Sequence, residues 1–140
     1  MKFTIATRVG LPPRRAAERF DARLFQALAP PFPKIRLLRF EPQRVEMRLD
    51  FGVFRSMWES KVEDWIFDAE EARFVDTGVR LPPPLKSWRH VHRLRAHGQG
   101  SILYDEIEYT TGVRPLDWLI FPFLWAMMAY RRPIYRKKLR

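Results

Sequence analysis

Three histidines occur in this 140-residue chain, and two of them, His90 and His92, stand two residues apart. Side chains alternate along a strand, so Trp88, His90, His92 and Leu94 would share one face. Downstream, Leu103, Asp105, Ile107 and Tyr109 share another, and upstream Phe74 and Asp76 form a third such pair. The turn His97-Gly98-Gln99-Gly100 between the first two runs is a hairpin signal. If all three faces look inward, the interior mixes aromatics with His and Asp. Unpaired polar groups are costly in a dry core. The same mixture is an ordinary lining for a small-molecule pocket.

Three chemistries fit these residue types. His90, His92, Asp76 and Asp105 form a workable ligand set for a metal, although a pair of His two apart on a strand is not diagnostic. The competing reading, a polar cluster with each His oriented by an Asp, is favoured, and no metal is expected. A His held by a carboxylate could also serve as general acid or base, which makes His90, His92 and Asp105 the catalytic candidates. Finally, Trp58, Trp88, Tyr109 and Phe123 could stack on a planar ligand or simply fill the core.

The elements that position these residues are legible in outline. Met1 to Val9 reads as a strand and not as a leader peptide. Leu11-Pro12-Pro13 suits a helix start. Ala17, Phe20, Leu24 and Leu28 then recur at helical spacing, as one helix or two short ones, until Pro30, Pro31 and Pro33 end the run. No Gly-rich phosphate loop follows the first strand, which argues against a nucleotide fold.

Strands are expected at Lys34–Phe40, Val45–Phe51, Ser56–Val62 and Phe74–Thr77, followed by the hairpin. Short turns between sequential strands imply an antiparallel meander. Leu81-Pro82-Pro83-Pro84-Leu85 is a stiff loop, either a plain connection or the rim of a pocket. The last element runs from Pro115 to about Tyr135. Leu116, Leu119, Ile120, Phe123, Met127 and Ile134 form one stripe, with Trp118, Phe121, Trp125 and Met128 on the opposite side. Pro122 and Pro133 should kink it or end it.

Composition sets outer bounds. The apolar fraction of 46% fits one globular domain spanning residues 1–140. The absence of cysteine removes disulfides, thiol nucleophiles and Cys-ligated metals, and it allows a reducing compartment. The net charge is +10, but the last ten residues alone carry six cations and no acid. This basic tail, 131–140, beside an apolar helix suits an anionic membrane surface or a second copy of the chain. A transmembrane span is disfavoured, because the apolar run from Leu116 to Tyr130 is too short. Nucleic acid is the weakest partner, since no motif for it is present.

Several stretches resemble the START-like SRPBCC superfamily. Leu28-Ala29-Pro30-Pro31-Phe32-Pro33 is similar to the segment after the second short helix in its bacterial ligand-binding members. Phe74-Val75-Asp76, Trp88-Arg89-His90-Val91-His92 and Tyr104-Asp105-Glu106-Ile107-Glu108-Tyr109 resemble their F-x-D, W-x-H-x-H and D-x-I/V-x-Y stretches, and Tyr130-Arg131-Arg132-Pro133-Ile134-Tyr135 also matches. The resemblance implies an α+β helix-grip fold. A curved antiparallel sheet of about seven strands would wrap a long C-terminal helix, with one or two short helices after the first strand and a cavity between sheet and helix. It brings no cofactor.

The residues then expected around an apolar or amphipathic ligand are Trp58, Asp76, Trp88, His90, His92, Asp105 and Tyr109 from the sheet and Phe123 and Met127 from the helix. Three readings stay open: a carrier or sensor, a polyketide cyclase- or dehydratase-like enzyme, and an interaction module docking through Trp118, Phe121 and Trp125. The expected location is cytoplasmic, with peripheral membrane attachment as the alternative.

Overall fold

A computed structural model describes all residues, Met1–Arg140. Its elements, in chain order, are β1 (Lys2–Val9), α1 (Pro13–Glu18), α2 (Ala22–Ala27), β2 (Lys34–Glu41), β3 (Arg44–Asp50), β4 (Arg55–Phe67), β5 (Glu71–Arg80), β6 (Ser87–His97), β7 (Gly100–Thr110), α3 (Arg114–Ala129) and α4 (Arg131–Lys138). The seven strands form one sheet in the order β1-β7-β6-β5-β4-β3-β2. Every neighbouring pair is antiparallel. The meander from β2 to β7 follows from its short turns, and β1 closes the far edge against β7.

Local chemistry sets the boundaries. Pro13 opens α1, where its missing N–H costs nothing. Asp21 caps α2 by accepting from the Leu24 N–H at 2.9 Å, so the helical run after β1 is two short helices. Gly98, with φ +58°, takes the first central position of the two-residue β6–β7 turn, where a hairpin of the II′ kind needs glycine. The strands β4 and β5 extend well beyond the expected spans. Asp64 adopts a positive φ of 58° and the register shifts between Glu63 and Ile66, so β4 bends and continues to Phe67.

The C-terminal helix departs from expectation in phase. Its buried residues are Asp117, Leu124 and Met128, and Phe121 packs edge-on against Phe3 at 5.4 Å. Leu119, on the stripe of Phe123 and Met127, is 75% exposed, and Met128, on the opposite stripe, is 1% exposed. The cause lies in the first turn. The Asp117 carboxylate accepts from the Thr111 N–H at 2.7 Å, the Thr111 hydroxyl at 2.6 Å and the Thr110 hydroxyl at 3.0 Å. These bonds turn Asp117 inward and set which residues follow it at 3.6-residue spacing. Pro122 is carried inside α3 without ending it. The break comes at Tyr130, three residues before Pro133, whose ring cannot accommodate or bond the carbonyl one turn earlier.

The tail is not a solvated appendage. Tyr135 and Leu139 are fully buried, and the Leu139 carbonyl accepts from the Gly10 and Leu11 N–H groups at 2.9 and 3.0 Å. They belong to one apolar core with Val9, Leu24, Leu94 and Leu103. A second core at the other end contains Ile5, Trp58, Trp88, Ile107, Leu124 and Met128.

Candidate functional site

Between the two cores lies a row of polar side chains, supplied one strand after another. On β1, β6 and β7 the inward face passes from one core to the other through it. On β6, His90 and His92 separate Trp88 from Leu94; on β7, Asp105 separates Ile107 from Leu103; on β1, Thr7 separates Ile5 from Val9. The register places Asp76 opposite His90, and Asp105 opposite His92. Ser60 continues the row on β4. From the helix side, Arg131 fills the gap between Met128 and Tyr135.

The row is bonded within itself and incomplete. His90 Nε2 lies 2.8 Å from Asp105 Oδ1, and His92 Nδ1 lies 3.5 Å from the same oxygen. With Asp105 ionised, the shorter contact fixes His90 as the Nε2–H tautomer and leaves its Nδ1 as an acceptor. Trp58 donates from Nε1 to the Ser60 hydroxyl at 2.8 Å, which leaves the hydroxyl hydrogen free for Asp76. Six buried polar atoms of the row have no hydrogen-bond partner: Thr7 Oγ1, Asp76 Oδ1, His92 Nδ1, Asp105 Oδ2, Arg131 Nε and Tyr135 Oη. Buried groups are normally satisfied, so six orphans in one row require an explanation.

Burial controls the protonation states. It pushes both histidines well below their ordinary pKa. The Arg131 charge adds to this at both, and the neighbouring His90 adds to it at His92. Both imidazoles are therefore neutral at pH 7. Burial raises Asp76 to about 6, against the opposing pull of the Ser60 hydroxyl and Arg131. It also raises Asp105, less the opposing effects of His92 and Arg131. For Arg131 burial works against the charge, but Tyr135, Asp105 and Asp76 outweigh it and the guanidinium stays charged.

Aromatic rings complete the wall. His90 lies tilted against His92 at 3.7 Å, His92 stacks on Phe74 at 4.3 Å, and Phe74 on Trp65 at 4.3 Å, giving a ladder of four rings across β6, β5 and β4. Phe20 meets Phe74 and His92 edge-on. Trp58 and Trp88 form a T-shaped pair at 5.0 Å.

These groups enclose a cavity of about 220 Å³ between the sheet and α3, and 21 of its 33 lining residues are hydrophobic. That is several times the roughly 30 Å³ occupied by a liquid water. Of the nine expected lining residues, Trp58, Asp76, Trp88, His90, His92, Phe123 and Met127 line it. Asp105 and Tyr109 do not. Asp105 is fully buried behind the histidines and orients His90. The Tyr109 hydroxyl donates to the Asp117 carbonyl at 2.8 Å and fastens α3 to β7. The exposed Pro83, Pro84 and Phe123 belong to the lining and mark a mouth, so the proline loop is a rim.

Arg131 and Trp65 also line the cavity and were not anticipated. The signal for Arg131 was its spacing: Met128, Arg131 and Tyr135 continue a helical stripe that a run of cations concealed. As to metals, the ligand atoms of Asp76, His90 and His92 lie within 4.8 Å of one another, close enough to share one ion. The adjacent Arg131 charge works against a divalent cation there.

No protein-family model matches the sequence, and no curated protein does. Solved structures are similar in fold. The di-domain ARO/CYC StfQ from the steffimycin biosynthetic pathway aligns with 99% of this chain at TM-score 0.70 and 12% identity, and this chain spans 50% of that one. The Zhui aromatase/cyclase from Streptomyces sp. R1128 aligns over 100% of this chain and 96% of its own, with TM-score 0.61 and 14% identity. Ara h 8.0201 aligns over 96% and 97%, with TM-score 0.60 and 12% identity. The chain thus has the α+β helix-grip fold that its resemblance to the SRPBCC superfamily implied.

Proposed function

We propose that this protein binds an apolar or amphipathic small molecule in the cavity between sheet and C-terminal helix, as a carrier or sensor. The observation that carries this reading is the pairing of a mostly apolar cavity with a cluster of unpartnered polar atoms beside it. A pocket of that make-up suits a ligand with an apolar body and a polar end. Native mass spectrometry of freshly purified protein, followed by solvent extraction, tests it. A defined adduct of a few hundred daltons is expected; empty protein from every preparation counts against it.

A second reading is a cyclase- or dehydratase-type enzyme. It is favoured by the His90–Asp105 contact of 2.8 Å, which, with Asp105 ionised, leaves a neutral imidazole with an acceptor nitrogen beside the cavity. Two of the fold neighbours are described as aromatase/cyclases. His90 would move the proton, Asp105 would orient it, and His92 would assist.

The outer face of α3 supports a further partner reading. Trp118, Leu119 and Trp125 are exposed on it, beside the cations of α4. An anionic membrane surface or a second copy would cover them. No helix is long and apolar enough to cross a membrane.

A further inference from the structure

The polar row sorts ligands by the charge of their heads. Resting on the cavity reading above, we propose that the ligand's polar end is uncharged and carries a hydroxyl-type donor that bonds Asp76. The argument starts from the two charged groups that line the cavity at this end. Asp76 sits on β5 and Arg131 on α4, and both line the same space. Each has a fully buried atom without a partner: the acceptor Oδ1 on Asp76 and the donor Nε on Arg131.

A head with net charge finds a repulsive neighbour whichever sign it has. A carboxylate would suit Arg131 but face Asp76, with the Asp105 carboxyl group behind it. An ammonium would suit Asp76 and be opposed by Arg131. In a low-dielectric site such repulsion is hard to screen. A neutral dipolar head meets neither objection. Its O–H donates to Asp76 Oδ1, and its oxygen or a carbonyl beside it accepts from Arg131. His92 Nδ1, also unpartnered and neutral, completes the set as an adaptable third contact. The Ser60 hydroxyl, which accepts from Trp58 Nε1, keeps its hydrogen for Asp76 and eases the burial of that carboxylate, while Asp76 Oδ1 is left for the ligand. The apolar walls require the rest of the molecule to be hydrocarbon-like, and the ring ladder suits a flat one.

The test uses four probes of one shape: naphthalene, 2-naphthol, 2-naphthoate and 2-naphthylmethylammonium. Binding at pH 7.5 is read from the indole N–H resonances of Trp58 and Trp88. 2-Naphthol should bind at least tenfold more tightly than naphthalene, as expected of a hydrogen bond to a charged acceptor. Both ionic probes should bind more weakly than 2-naphthol. Asp76→Leu should abolish the advantage of 2-naphthol while naphthalene binding persists. Equal affinity for naphthalene and 2-naphthol overturns the head-group assignment and leaves the cavity reading standing. Preference for 2-naphthoate or for the ammonium overturns it in the same way. No response to any of the four overturns the cavity reading, and the head-group assignment with it.

Discussion

Asp105 Oδ1 stands 2.8 Å from His90 Nε2, with the carboxylate fully buried and only the imidazole reaching the cavity. The pair therefore has an inner member that orients and an outer member that meets whatever enters. This division separates a carrier from an enzyme. In the double variant His90→Ala, His92→Ala, an enzyme loses its turnover while ligand occupancy persists. If occupancy and turnover fall together, the histidines serve binding. Occupancy by native mass spectrometry and product formation on the same extracted ligand distinguish the two.

Stability should depend on pH through Asp76. Its folded pKa of about 6 exceeds the unfolded value of about 3.9. The native state therefore holds the proton more tightly, and this contribution, complete below about pH 4, is lost as pH rises through 6. The depressed histidines act with the opposite sign: their contribution is present above about pH 6.5 and lost as pH falls. Asp76→Asn removes only the first effect. Relative to wild type, the variant should gain about 3 kcal/mol between pH 4 and pH 7.5, from two pKa units at 1.36 kcal/mol each. Urea denaturation at the two pH values measures this gap, and a pH-independent gap would contradict it.

Phe74 lies in the ring ladder between Trp65 and His92 and is met edge-on by Phe20. Phe74→Ala should cost about 3–5 kcal/mol, as buried Phe truncations do. It should also enlarge the cavity, so a bulkier apolar probe should gain affinity relative to naphthalene. A loss below about 1 kcal/mol in denaturant titrations would mean that the ladder collapses inward to fill the space.

The α3 face and its flanking cations make a separate prediction. Truncating the chain at Arg136 would remove Leu139 from the core, so charge reversal is the better probe. Arg136→Glu combined with Lys137→Glu keeps the buried side chains in place. If anionic lipid covers this face, co-sedimentation with phosphatidylserine vesicles should drop at least tenfold in that variant and in Trp118→Glu. Unchanged sedimentation speaks against lipid, and a mass in solution that halves in Trp125→Glu identifies a second copy instead.

The sheet was readable from the sequence because a two-residue period determines facing without any knowledge of neighbours. Trp88, His90, His92 and Leu94 point inward as alternation requires, and so do Val45 and Leu49. The helix was less readable because its rotation is set by Asp117 and Thr111, a contact between residues six apart that no hydrophobic stripe records. Arg131 and Tyr135 were hidden for another reason. A cation among six in ten residues reads as surface, since burying a charge is costly without partners. Here the partners Asp76 and Asp105 arrive from strands 55 and 26 positions away in sequence. Tyr109 shares the inward face, as alternation requires, but its hydroxyl donates to the Asp117 carbonyl and holds α3.

The row of polar side chains between the two cores also acts as a seam. Leu94 and Trp88, on the same strand, belong to different apolar clusters, and the clusters meet across polar groups that are only partly hydrogen-bonded. Cooperative units in hydrogen exchange follow such divisions. Amides of β1 and β7 near Val9 and Leu103 should thus open with one free energy, and those near Ile5 and Ile107 with another. A ligand spanning the seam would fuse the two into a single opening unit.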